Sequence, residues 1–301
     1  MRQLRRLSVG VLLLVGAVAS ADSNDLVLGQ LGSPIPGGMN YSPAADGNFR
    51  AFAAELGSGL SSYTLTGTHT LGYNGFALEP ELAVVSFGDS VQFPTEKPFS
   101  SPLLLPSLHV RKGLPWSLEL GGRMAWVDKS HMAAGTLEGR WAITEGFRAL
   151  PEVTLRVYGT HLFGAENFRL WGAGTDLSVG KRFAVGGMIT LAPYAGWNLG
   201  WTHATSQMID FNPGRTEAEA EATPTAQLVD TAAYTSVAAS NNFHNRFYLG
   251  GRFVGGAFTL GAELSYTTLG AIDAPDPAVP GSTTRGLPSI VTFSTAIGFD
   301  F

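Results

Sequence analysis

Thirteen charged residues carry whatever chemistry this sequence can do: Glu79, Glu81, Arg111, Glu119, Arg123, Glu138, Arg140, Glu152, Arg156, Asp176, Arg246, Arg252 and Glu263. Their neighbours one position away are mostly apolar. In an extended strand that spacing of two puts apolar side chains on one face and charges on the other. The seven carboxylates nearly balance the six guanidinium groups. Balanced opposite charges on one face suit pairing across strands in a narrow, mostly filled interior. The alternative use of the same charges is a narrow path whose selectivity they set.

Other chemistry-bearing residues point less sharply. His131, His161, His203 and His244 fall near one expected rim, and parity puts the first three on the apolar side of their strands. Amphipathic rings at that level suit a membrane interface, so neither a catalytic nor a metal role is expected of them. There is no G-x-S-x-G, H-E-x-x-H or phosphate-binding loop motif. The expectation is a non-enzyme with no cofactor and no metal. With no cysteine, the chain has no disulfide, thiolate metal site or cysteine-linked lipid anchor. Residues 202–242 carry Asp210, Glu217, Glu219, Glu221 and Asp230 against Arg215. They lack the ligand spacing of a calcium loop and read as a solvated contact surface.

The elements that must position these residues are strands. Alternation with turn residues between segments predicts ten: 73–88, 103–112, 116–127, 132–144, 151–163, 168–180, 184–201, 243–255, 258–269 and 288–301, with twelve as the alternative. In the third, Leu118, Leu120, Met124 and Trp126 oppose Glu119 and Arg123. In the fifth, Val153, Leu155 and Val157 oppose Glu152 and Arg156. Arg169 is the clear exception, on the apolar face but at a strand start, where a long side chain can snorkel. Trp116, Trp126 and Trp201 fall near strand ends as girdle residues, and Trp141, Trp171 and Trp197 face outward. Connections at 113–115, 145–150, 181–183 and 256–257 are short, whereas the long ones, 89–102, 202–242 and 270–287, all fall at the other end. This segregation predicts an all-β fold: a transmembrane antiparallel up-and-down β-barrel with both termini at the short-turn, periplasmic end.

Ahead of the strands, Arg2, Arg5 and Arg6, the apolar run Leu7–Val18 and Ala19-Ser20-Ala21 read as a secretory signal peptide over 1–21. Its removal takes the formal charge from −5 to −8. An acidic chain without a basic cluster excludes nucleic acid as the expected partner. Residues 22–60 read as a periplasmic linker holding a short amphipathic helix, capped by Asp46 and ended by Gly57, with Phe49, Phe52 and Leu56 on one face. It is expected to plug the lumen or to dock a periplasmic or envelope partner. Residues 61–301 form the barrel domain.

Over about residues 73–301 the chain resembles the bacterial outer-membrane β-barrel proteins. The sharpest local element is the last strand, with polar Ser294, small Ala296, then Phe299 and Phe301. The family more often has glycine where Ala296 stands. The resemblance implies residence in the outer membrane among its lipids, and recognition of that strand by the barrel-assembly machinery. Two functions follow as expectations: permeation of a small or amphipathic solute through a narrow lumen, or a non-transporting barrel that organises an envelope complex through its loops or N-terminal segment.

Overall fold

The computed structural model describes residues 22–37, 40–88, 93–99, 101–147, 149–222, 230–274 and 281–301. The expected leader, 1–21, lies outside them. Ten strands form the wall: β1 (Phe76–Ser86), β2 (Leu103–Leu114), β3 (Leu118–Trp126), β4 (Ala133–Thr144), β5 (Glu152–Phe163), β6 (Phe168–Gly180), β7 (Ile189–Ser206), β8 (Phe243–Gly255), β9 (Phe258–Thr268) and β10 (Ile290–Asp300). Each pairs antiparallel with its sequence neighbours, and β10 pairs with β1. The ten-stranded wall closes on itself, which is what a spanning sheet requires where no water can satisfy the backbone.

Burial alternates strictly along the wall; β1 and β5 are typical. Outward positions are apolar and exposed, among them Leu82, Leu120, Leu137, Trp141, Trp171, Leu249 and Phe293. An Arg or Lys there at mid-bilayer would cost about 2–4 kcal/mol, and inward positions carry nearly all the charges instead.

One strand is displaced well beyond the small differences at other strand ends. The seventh, expected at 184–201, runs Ile189–Ser206, and Phe183–Val185 is a separate strand that folds back on its start. The Gly186-Gly187 pair, with φ of 61° and 76°, makes the reversal. Glycine adopts these left-handed angles without steric cost, so two consecutive glycines act as a hairpin turn rather than as part of a strand.

The larger correction concerns residues 22–60, expected as a linker at the short-turn end, and 61–75, expected as part of the barrel domain; neither is where it was expected. Asp22, the first described residue, lies at the end carrying the long connections. There Asn24 bonds to the carbonyls of Lys129 and Asp128, and Leu26 bridges Thr95. Phe301 pairs with Phe76 at the opposite end. The even strand number fixes where β1 begins. It says nothing about the chain before β1, which descends through the lumen.

That descent starts with helix α1 (Ala45–Gly59). Its boundaries also differ from expectation. Ala44 holds the N-cap position without a side-chain cap, and Asp46 instead accepts bonds from the N–H and hydroxyl of Thr235 at 2.9 and 3.0 Å. Gly57 does not end the helix. A Cβ there would fall 2.3 Å from Thr202 Cγ2, so this glycine serves a close approach to the wall. Residues 61–75 then run without regular secondary structure to the start of β1. Near the bottom a Cβ on Gly113 would sit 1.8 Å from the Gly72 carbonyl oxygen, so only glycine lets the segment dock on β2.

Candidate functional site: the lumen

All thirteen charged residues singled out by parity are buried, and all come from barrel strands. Two ion-pair groups gather most of them. In the lower one Arg111 bonds Glu79 (2.8 Å) and Glu119 (3.0 Å), Arg140 shares Glu119 (2.9 Å), and Arg252 joins Glu79 (2.7 Å) to Asp300 (2.9 Å). In the second, Arg123 bonds Glu81 (2.6 Å), while Arg156 spans Glu138 and Asp176 (2.8 Å each). Glu152 pairs separately with Arg182 at 2.7 Å. Arg246 and Glu263 turn toward the threaded segment.

His109 is the residue that sequence reasoning missed. Its Nδ1 lies 3.0 Å from Glu81 and its Nε2 3.1 Å from Glu138, linking the two acids. The signal was present: His109 shares the face of Arg111, two residues on. Glu79, Glu81 and His109 lie close enough together to hold a metal ion. However, both oxygens of Glu79 are held by Arg111 and Arg252, and those of Glu81 by Arg123 and His109. The donor set is therefore committed to guanidinium and imidazole groups, and it does not fit a cation.

The second ingredient of the site is the backbone of the threaded segment. Arg246 donates to the carbonyls of Ser58 (2.8 Å), Ser61 (3.1 Å) and Ser62 (3.0 Å). Arg156 donates to Ser62 (3.0 Å) and Tyr63 (2.9 Å), and Arg123 to Tyr63 (2.9 Å). Arg140 reaches the Gly67 carbonyl. In return, Glu263 accepts the N–H groups of Thr64 (3.3 Å) and Leu65 (3.0 Å), Glu145 that of Thr70 (3.0 Å) and Glu119 that of Leu71 (3.1 Å). Extended chain without a sheet partner must satisfy its backbone polar groups somewhere. Here the inward charges do it. Tyr63 adds a hydroxyl contact to Ser107 at 2.9 Å, and the Arg123 guanidinium lies 4.4 Å from its ring centroid.

Above this polar layer the lumen is apolar. Phe49 and Phe52 are fully buried, and Leu56 is buried below them. Phe49 stacks on Tyr234 at 4.9 Å and meets Phe168 edge-on at 5.9 Å. Phe52 packs on Phe168 and Phe93 at 5.4 and 5.6 Å. The Tyr234 hydroxyl lies 2.8 and 2.7 Å from the Leu28 and Gly32 carbonyls. Both Glu55 carboxylate oxygens are buried without a hydrogen-bond partner among the described residues. At the rim Asp25 pairs with His131 at 2.7 Å. Burial raises the Asp25 carboxyl pKa, but the bonds it accepts from His131 more than offset this and leave it below 3.8. The bond to Asp25 and its charge raise His131 above 6.5.

The remaining sequence-singled residues divide by face. His161 and His203 are partly exposed on the outer wall, whereas His244 is buried inside, against Ser61. Ser294 and Ala296 point inward. Phe299 and Phe301 point outward and lie 6.3 Å apart.

No family model and no curated protein matches the sequence. Several solved bacterial barrels are similar in structure. The attachment invasion locus protein Ail of Yersinia pestis is 12% identical over 76% of this chain and 99% of its own, with a TM-score of 0.28. The outer membrane protein OprG from Pseudomonas aeruginosa is 10% identical over 77% and 98%, with a TM-score of 0.30. The β domain of the Bordetella autotransporter BrkA is 14% identical over 76% and 100%, with a TM-score of 0.36.

Proposed function

We propose that this chain is an integral barrel of the bacterial outer membrane that does not conduct solutes, and that it anchors an envelope assembly through its long connections. One observation carries the reading. The backbone from Ser58 to Leu71 occupies the lumen and is bonded to four inward arginines, Arg123, Arg140, Arg156 and Arg246. Transport would require releasing that segment and exposing unpaired buried charges, which is costly. The charged ladder therefore acts as a lock on the protein's own N-terminal segment rather than as a selectivity filter.

In this reading the short-turn end faces the periplasm, and residues 22–37 reach the outer surface beside the long connections. The connection between β7 and β8 is the contact surface for a partner. The barrel-assembly machinery engages β10 during insertion, and membrane lipid covers the outer wall.

Planar-bilayer recording of the refolded full chain tests this. Wild type should insert without single-channel steps, and Arg156→Ala combined with Arg246→Ala should give steps if it inserts. Stable steps from wild type would overturn the reading.

A further inference from the structure

The outer wall is not smooth. Across β2–β6 an open groove of about 620 Å³ is lined by Leu108, Gly122, Gly135, Gly159, His161 and Trp171, among others. Its volume lies in the ~300–1,000 Å³ range of small-molecule sites. The register explains it. Val110 faces Gly122, Leu137 faces both Gly122 and Gly159, and His161 faces Gly135. Three neighbouring strands thus each place a glycine on the lipid-facing side within this one patch. A Cβ at Gly159 would meet nothing nearer than 4.0 Å, and one at Gly122 nothing nearer than 3.8 Å. Neither glycine is required by close packing.

The rimward end of the groove is polar. His161 packs against Trp171 at 4.3 Å, and its Nδ1 is buried without a hydrogen-bond partner among the described residues. Trp171 pairs with His203 on β7. Two residues further toward the rim, about 7 Å at strand spacing, stands Arg169. It is exposed on the same outward face and makes no ion pair among the described residues. Glu166 in the turn above forms no ion pair with it among the described residues. An unpaired guanidinium above an apolar slot, at the level where lipid headgroups begin, complements an anion joined to a hydrocarbon chain.

We propose that this groove binds one phosphorylated lipid of the surrounding leaflet, with an acyl chain across Gly122 and Gly159 and the phosphate on Arg169. The inference rests on the lipid-facing wall and not on closure of the lumen, so a conducting barrel would leave it standing.

Native mass spectrometry of the refolded full chain in mixed micelles tests it, with dioleoylphosphatidylglycerol and dioleoylphosphatidylcholine as probes. Heat-modified gel mobility confirms that each variant is folded. Wild type should retain one phosphatidylglycerol about tenfold more tightly than phosphatidylcholine. Arg169→Gln should erase that preference while keeping residual binding of both. Gly122→Leu with Gly159→Leu should lower retention of both lipids. Equal retention of the two lipids by wild type would overturn the proposal, as would undiminished binding by the groove-filled variant. So would a wild-type dimer that the groove-filled variant dissolves, which would assign the groove to a second copy of the chain.

Discussion

The two halves of the lumen are filled by the same N-terminal segment in opposite ways. The upper half holds α1, and its contacts there are rings: Phe49, Phe52, Phe93, Phe168 and Tyr234. The lower half holds extended chain, and its contacts are guanidinium and carboxylate groups. The difference follows from backbone accounting. A helix satisfies its own N–H and C=O groups and can sit in an apolar cup, whereas extended chain without a sheet partner cannot. The inward charges are concentrated where the segment is extended because that is where donors and acceptors are needed.

The sharpest way to break this comparison is in the lower half. Arg156→Met removes two ion pairs and two carbonyl contacts, leaving Glu138 and Asp176 short of a partner. It should cost about 5 kcal/mol, the upper end for breaking buried pairs, read as a lowered urea midpoint in lipid vesicles. Losing the segment's lock should also expose residues 58–71 to protease. In the upper half, Phe52→Ala should cost about 3 kcal/mol, since it empties a fully buried ring site. Its signature should differ: protease sensitivity confined to residues before α1, with bilayer conductance still absent. If both variants release the whole segment alike, the two halves are one cooperative unit and the contrast drawn here is wrong.

Smaller effects sharpen the same picture. Glu55→Gln replaces a buried carboxyl group that has no hydrogen-bond partner among the described residues, and should leave the urea midpoint unchanged or raise it, unlike any substitution among the paired acids below. At the rim, the Asp25–His131 tie depends on pH from both sides. His131 is raised, so its contribution is full below 6.5 and is lost as pH rises through its higher bound value. Asp25 is lowered, so its contribution is full above 3.8 and is lost as pH falls through its lower bound value. Protease protection of residues 22–26 should therefore be greatest between about pH 4 and 6.5. His131→Asn should remove the loss on the alkaline side. Protection that is flat from pH 4 to 9 in wild type would assign the tie to the backbone bonds of Asn24 instead.

Much of the wall was legible in the sequence because period-two alternation is a local signal. Glu152 and Arg156 oppose Val153, Leu155 and Val157 within one short stretch, and the fold keeps that arrangement. The path of residues 22–75 was not legible, because what holds it is distant in sequence. Ser58 meets Arg246 and Thr64 meets Glu263, so nothing local in the Ser- and Thr-rich stretch shows that it is buried. Loop-length segregation located β1 but could not say on which side of the barrel the preceding chain ran. His109 was missed for a different reason. Histidine was weighed only near one expected rim, whereas His109 lies mid-strand in β2.

The most direct test of the account uses the absence of native cysteine. Thr66 is buried midway along the threaded segment, and its hydroxyl has no partner among the described residues, so Thr66→Cys should fold normally. In the refolded barrel, a small water-soluble thiol reagent should fail to label Cys at this position until the protein is denatured. Labelling of the native protein as fast as of the denatured chain would contradict the claim that the segment fills the lumen.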